Sequence, residues 1–396
     1  MYLGPMRLLR PGLLLLVLGY LGILMNRRMV RWGNLTATWP TKGVAAFLVL
    51  IGASGVFGLS VGTTVRLLTE VYLLNIALFV LLVVTIRDVK DVGLLIWGYA
   101  TGVLLVGILA FTVLEREITQ DGLARLTGGQ GMFDANDLGL ISLVALPLTV
   151  LLFRNSGKHG RIMASILMLL IPVTIALTGS RGAMVGLVFV GPAILISLHG
   201  MSVGKRLMIA FVAATALLIA APPGYWQQMQ TVLNPSEDYN VSSEYGRVEL
   251  SKRGVGYMMR FPLFGVGAGN FARAEGTISP IIQSRLSRGL SVEWLAPHNT
   301  YVEVGAEIGI PALLIWLGFL FTGTIGLLKL RRRIPKDWER QTPERRFLRE
   351  LCLFLPISFL AFSVTSLFLS HAYTPIPYIM ISMLVGTMIL VERELR

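Results

Sequence analysis

The chain is 396 residues long, 54% hydrophobic and 14% charged, with a mean hydropathy of +0.69. A soluble domain carries about 25% charged residues, so a water-soluble globular protein is excluded and a membrane protein is expected. The formal charge of +13 does not point to nucleic acid, because Lys and Arg sit in short loops between apolar spans. Cys352 is the only cysteine, which excludes a disulfide framework and a cysteine-rich metal site.

Apolar segments recur near residues 11–26, 43–61, 68–86, 92–114, 138–153, 161–179, 183–198, 207–221, 305–328, 350–370 and 375–391. A hydrocarbon core is crossed by a helix of about 20 residues. The expectation is an all-α polytopic membrane protein of about 11–12 transmembrane helices. Arg7 and Arg10 precede the first segment and Asn26-Arg27-Arg28 follows it, with no small-residue cleavage site, so it reads as a retained span. Three parts follow: transmembrane helices over 1–221, a polar loop domain over 222–304, and transmembrane helices over 305–396. The basic residues set the orientation. Arg27, Arg28, Arg31 and Lys42 mark one inside loop, and Lys329 to Arg349, with nine Lys/Arg, marks another. The 222–304 loop then lies outside.

Before the fifth segment, Asp121-Gly122, Gly128-Gly129 and Gly131 read as turns, and the Asp134–Asp137 stretch reads as a helix N-cap. In Thr178-Gly179-Ser180-Arg181-Gly182, Arg181 falls between two apolar helices. Charge at that depth usually pairs or serves a path, and the flanking glycines admit a ligand or a second backbone.

In the long loop, Tyr225 to Leu233 is expected as a short interfacial helix with Tyr225, Trp226 and Met229 toward lipid. Asn234 to Tyr239 is turn-rich. Glu244 to Arg260 has helical spacing, with Val248, Val255 and Met259 as a buried stripe, and Phe261-Pro262 ends it. Gly265, Gly267 and Gly269 alternate as in a dinucleotide loop, but no strand precedes them, so close backbone turns are expected instead.

Arg247, Arg253 and Arg260 join Arg181 as a candidate anion site, since guanidinium forks suit phosphate oxygens. His298, in Ala296-Pro297-His298-Asn299-Thr300-Tyr301, is a candidate to take a hydroxyl proton, with Asn299 or Thr300 capping the next helix. Glu303 and Glu307, one turn apart, are candidates to orient His298, and Glu303 is expected at the substrate site. No metal-ligand spacing occurs, and no metal or cofactor is expected.

In this order the elements resemble the O-antigen ligase and polymerase superfamily of bacterial membrane glycosyltransferases. The resemblance runs from about Leu94 to the end. It rests on Asp134–Asp137, Ser180-Arg181-Gly182, Gly246-Arg247, Phe261-Pro262-Leu263-Phe264-Gly265-Val266-Gly267, Ala296 to Tyr301, and Glu307-Ile308-Gly309. It implies a GT-C-like enzyme of the bacterial cytoplasmic (inner) membrane with its large loop in the periplasm. The implied donor is an undecaprenyl-diphosphate-linked glycan, and the acceptor a lipid A–core or other glycan. Arg181 and Arg247 would hold the diphosphate and His298 would activate the acceptor hydroxyl, without a metal. Family members usually have about twelve spans and an aromatic residue after the loop arginine; here Val248-Glu249-Leu250-Ser251-Lys252 follows Arg247. Within the same chemistry, an O-antigen or exopolysaccharide polymerase and a protein O-glycan ligase stay open. A lipid-linked glycan transporter would call for two related halves, and no internal repeat is present.

Overall fold

The computed structural model describes residues 11–112, 117–118, 124–127, 134–230, 246–289 and 296–396. The expected turns at Asp121-Gly122, Gly128 to Gly131 and Asn234 to Tyr239, and the start at Glu244, lie outside the described residues. Helices are numbered in chain order. Among the described residues nine are long and apolar enough to cross a membrane: α2 (Trp39–Phe57), α3 (Val61–Thr85), α4 (Val89–Thr112), α5 (Ala135–Asn155), α6 (Lys158–Thr178), α8 (Val203–Ala220), α14 (Ile310–Arg333), α15 (Pro343–Thr365) and α16 (Pro375–Leu395). Two shorter apolar helices, α1 (Pro11–Met25) and α7 (Arg181–Ser197), match the remaining two segments read from sequence. The protein is an all-α polytopic membrane protein. A two-residue hairpin, Glu117–Ile118 against Ala124–Arg125, is a small addition that hydropathy did not foreshadow.

Helices α5 and α15 form the middle of the bundle, and most of their residues are buried. Small residues let the backbones close up there, as between helices in lipid. A Cβ on Gly139 would meet Ala183 Cβ at 2.9 Å, and one on Gly182 would meet Phe368 Cβ at 3.2 Å. Thus α5 and the α15–α16 connection lie hard against the start of α7, and α15 itself meets α7 at Gly186, where a Cβ would lie 3.0 Å from Thr365 Cγ2. Helix α8 is the opposite case: almost all of it is exposed, consistent with a peripheral, lipid-facing helix.

Between α8 and α14 run α9 (Tyr225–Gln230), α10 (Arg247–Arg260), α11 (Phe271–Ile278), α12 (Pro280–Ser287) and α13 (Thr300–Ile308). Two expectations are corrected here. The outward face of α10 carries Val248, Val255 and Met259, which are exposed. Its buried face is Leu250, Gly254 and Tyr257, because Gly254 lets α13 approach through Val302. In α9, Tyr225 and Met229 are buried and only Trp226 points outward.

The ninth apolar segment is also not one helix. It breaks at Gly309, whose φ is +100°. A Cβ there would collide with the Leu263 carbonyl, and Ile310 N–H donates to Pro262 O at 2.8 Å. The loop after α10 therefore wedges into the break. Its alternating glycines all have positive φ, and its N–H groups are spent on protein. Val266 donates to Ala306 O, Gly267 to Glu307 O, Ala268 to Ser54 Oγ and Gly269 to Glu307 Oε2. No donor row remains to cradle a phosphate, so the close-turn reading holds.

Charges separate along the bundle. One end carries Arg154 on Glu350 (2.7 Å), Arg349 on Glu339 (2.8 Å) and Arg345 on Glu394 (3.0 Å). The other end holds the starts of α5, α7, α10 and α13 and the α15–α16 connection. Gly309→Ala combines a disfavoured φ with a backbone collision. It is expected to destabilise by about 2 kcal/mol or more. Gly98→Ala, with open space at its Cβ, is the control, and thermal unfolding in detergent compares them.

Candidate active site

The start of α5 is built by its cap. Asp134 Oδ1 accepts from Asp137 N–H at 2.7 Å, and Asp137 Oδ2 accepts from Asp134 N–H at 3.2 Å, a reciprocal capping box. The start of α7 is set by Gly179, in the left-handed region at φ +58°, and by Ser180, whose hydroxyl accepts from Ala183 N–H. Arg125 locks these two starts together. Its Nε donates to Thr178 O at 2.8 Å and its Nη2 to Asn136 Oδ1 at 2.7 Å. Arg181 is thereby the first residue of α7, half-buried, next to Gly182 on Phe368.

The start of α13 carries His298. Asn299 is its N-cap, accepting from Tyr301 and Val302 N–H at 3.0 and 3.1 Å. His298 has φ +48° and is the one non-glycine residue with positive φ among the described residues. That conformation costs on the order of 1 kcal/mol. It turns the imidazole out of the line of α13 and toward α10. Burial, and then the nearby Arg247, hold His298 below the usual histidine range, while Asp134 and Asp137 act in the opposite sense. His298 is therefore neutral at pH 7 and able to take a proton.

Arg247 and His298 line one cavity of about 530 Å³. Ser251, Lys252 and Asn299 add polar groups, and Val248, Val255, Leu367 and Phe368 form its apolar walls. Arg247 Nη1 also donates to Phe368 O at 3.4 Å. So Val248 and Val255, expected to be buried, are instead part of the cavity wall, and Met259 is exposed. The cavity suits an amphiphile with an anionic head.

The other expected site residues fall elsewhere. Arg181 does not line this cavity; Phe368 is the wall between its helix start and Arg247. Arg253 forms a buried ion pair with Glu275 at 2.7 Å, which also accepts from Tyr257 Oη at 2.6 Å, so Arg253 is structural. Arg260 is exposed and stacks on Phe261. Glu303 is buried and accepts from Ala372 N–H at 3.0 Å. Glu307 accepts from Gly269 and Phe271 N–H and Tyr373 Oη. Both carboxylates are taken up by backbone N–H groups. Burial, and then Glu307, push Glu303 well above the usual carboxylate range.

Sequence reasoning missed His371. It lies on the α15–α16 connection, 1% exposed, with Nε2 3.1 Å from Asp137 Oδ1. Lys252, beside Glu249 at 2.6 Å, was also missed. A histidine in an otherwise apolar stretch was the available signal for His371. Among the described residues no group of three His, Cys, Asp or Glu is placed to hold a metal ion.

A bundle of helices long and apolar enough to cross a membrane, with a polar, histidine-bearing pocket at one end, defines the class: a multi-pass membrane protein. Residues 163–317 match the O-antigen ligase family. That segment, from α6 into α14, contains Arg181, Arg247 and His298. The match covers 155 of the 396 residues and supports a membrane glycosyltransferase of the ligase/polymerase type. No curated protein matches the chain.

Glu275→Ala would leave the Arg253 guanidinium and the Tyr257 hydroxyl without their shared carboxylate. Breaking such a pair costs about 3–5 kcal/mol. The expected outcome is a lower thermal midpoint. Arg260→Ala should leave it unchanged.

Proposed function

We propose that the protein transfers a glycan from undecaprenyl diphosphate to a lipid A–core acceptor at the periplasmic face of the inner membrane. The observation that carries this reading is the shared cavity of Arg247 and His298, cationic at one point and apolar along its walls. A polyprenyl diphosphate has the same two-part chemistry. The distribution of Lys and Arg supports an orientation with the basic end of the bundle inside and this pocket outside.

In this reading the acceptor hydroxyl attacks the sugar C1. The bond from C1 to the phosphate oxygen breaks, and undecaprenyl diphosphate leaves with the electron pair. His298 takes the hydroxyl proton. Negative charge grows on the leaving phosphate, and a guanidinium fixed beside it stabilises the transition state more than the ground state. Arg247 supplies that charge, with Arg181 reaching the diphosphate from the other side of Phe368. A single displacement inverts C1. The walls formed by Val248, Val255 and Leu367 receive the start of the prenyl chain. The nearest second reading, a polymerase with a lipid-linked repeat as acceptor, shares every one of these steps. Deleting the gene in its host separates the two: uncapped lipid A–core with accumulated long lipid-linked polymer marks a ligase, and single-repeat products mark a polymerase.

Two outcomes test the site and its sidedness. His298→Gly tolerates φ +48° and should keep the fold while lowering transfer by about two to four decades. Because Arg247 lowers the proton affinity of His298, Arg247→Gln should move the acid limb of the pH–rate profile upward from below about 6.5. It should also cost about 2–4 kcal/mol of transition-state stabilisation. Wild-type transfer by His298→Gly would remove the base from this mechanism. Cys352 is buried, so an impermeant thiol reagent reports added cysteines. Ser287→Cys should react from the periplasmic side and Lys336→Cys should not.

A further inference from the structure

The cavity beside α10 holds a second cation that the transferase reading leaves without work. Its charged lining residues are Arg247 and Lys252, both positive, and Ser251 adds a hydroxyl next to Lys252. Arg247, Val248, Ser251, Lys252 and Val255 have the spacing of one helical stripe, so α10 presents them together. Lys252 follows Arg247 by five residues, a rise of about 7.5 Å along the helix axis. The base lies along the same stretch. Helices α10 and α13 run side by side in the same direction: Gly254 faces Val302, and Pro262 O accepts from Ile310 N–H at 2.8 Å. His298 precedes Val302 by four residues, as Leu250 precedes Gly254, so it falls between the levels of Arg247 and Lys252. Lys252 Nζ meets Glu249 Oε1 at 2.6 Å, and the lysine side chain is 67% exposed. An exposed ion pair of this kind is weak and screened by salt, so a ligand anion can take the place of Glu249.

We propose that Lys252 is a specificity-determining residue for the acceptor: its ammonium binds a negative charge on the acceptor sugar, on the far side of His298 from the diphosphate at Arg247. This rests on the reading in which His298 takes the acceptor proton and Arg247 meets the leaving phosphate. In a single displacement the nucleophile and the leaving group lie on opposite faces of C1, so the two substrates approach from opposite sides and each meets its own cation. The two phosphates of a diphosphate share one oxygen and sit side by side at Arg247. Lys252, more than a turn further on, is the cation left for the second substrate. The recognised group is an anionic substituent of a sugar, a phosphate ester or a carboxylate. An ammonium is a point charge and takes either, with Ser251 Oγ as a neighbouring donor.

Transfer by the full-length protein in nanodiscs, with an undecaprenyl-diphosphate-linked oligosaccharide as donor, tests this on three forms of one acceptor. They are lipid A–core as isolated, the same glycolipid after phosphatase treatment, and the same after reduction of its carboxyl groups. Lys252→Gln should raise the KM for the untreated acceptor about tenfold, with little change in kcat or in the donor KM. Added salt should raise that KM in the wild-type protein and much less in Lys252→Gln. The treatment that removes the recognised group should abolish the difference between the two proteins, which tells phosphate from carboxylate. Lys252→Arg keeps the charge and should keep most of the preference, and Glu249→Gln should lower the KM about two- to threefold. Arg260→Gln removes a charge from the same helix, where the arginine stacks on Phe261, and should leave the KM as it is. An equal loss on all three acceptors overturns the proposal, and so does a raised donor KM, which would give Lys252 to the diphosphate. Binding of the untreated acceptor, carrying a fluorophore, separates this from the transferase reading. Weaker binding by Lys252→Gln with no transfer by the wild-type protein removes that reading and keeps the anion site. Unchanged binding removes Lys252 from acceptor recognition.

Discussion

Thr300 joins the two stretches of backbone on which the pocket depends. Its N–H donates to Ser366 O at 2.9 Å and its hydroxyl donates to Leu369 O at 2.7 Å, while the same oxygen accepts from His371 N–H at 3.0 Å. Every polar atom of a wholly buried side chain is used. A buried polar group left unpaired costs about 1–3 kcal/mol, so this arrangement is strongly specified. It places His298, two residues earlier, at the cavity that Phe368 also lines. Irregular backbone near a bilayer survives only where protein satisfies it. Glu303 and Glu307 extend the same logic, one binding Ala372 N–H and the other Gly269 and Phe271 N–H.

That framework explains why a strained histidine persists. His298 sits between Pro297 and the Asn299 cap, and the cap holds α13 in place whatever His298 does. The strain is small beside the fully satisfied polar network around it. The result is an imidazole turned into a cavity with Arg247, kept neutral by burial and by that arginine. Electrostatic help for the leaving group and a ready base are thus arranged by the same pair.

The bundle divides its charged residues by end. Ion pairs of Arg154, Arg345 and Arg349 hold one end shut. At the other, His371 lies beside the acidic cap of α5, and Arg247, His298 and Phe368 line one cavity. Close packing at Gly139 and Gly182 brings the start of α5 and Phe368 against the start of α7, beside the pocket.

The eleven apolar segments, the Asp134 cap, the Asn299 cap and the end of α10 before Phe261 were legible from the sequence. Each depends on local chemistry: hydropathy over a helix length, a side-chain oxygen near a free N–H, a proline that stops a helix. Arg247 and His298 were singled out in the sequence as candidates together with Arg181, and the structure brings the first two, but not Arg181, to one cavity. The burial of the α10 face was not legible, since Val248 and Leu250 are equally apolar and only Gly254 against Val302 decides which turns inward. Arg253 and Glu303 read as site residues because charge alone does not name its partner; Glu275 and Ala372 N–H do, and both are brought in by packing. The break at Gly309 needed the Pro262–Phe264 loop to fill it. His371 and Asp137, 234 residues apart, meet only because α15 returns to the head of α5. Sequence by itself determined what each segment is; tertiary structure decided which polar groups are used up on backbone and which remain to face a substrate, because that depends on neighbours far along the chain.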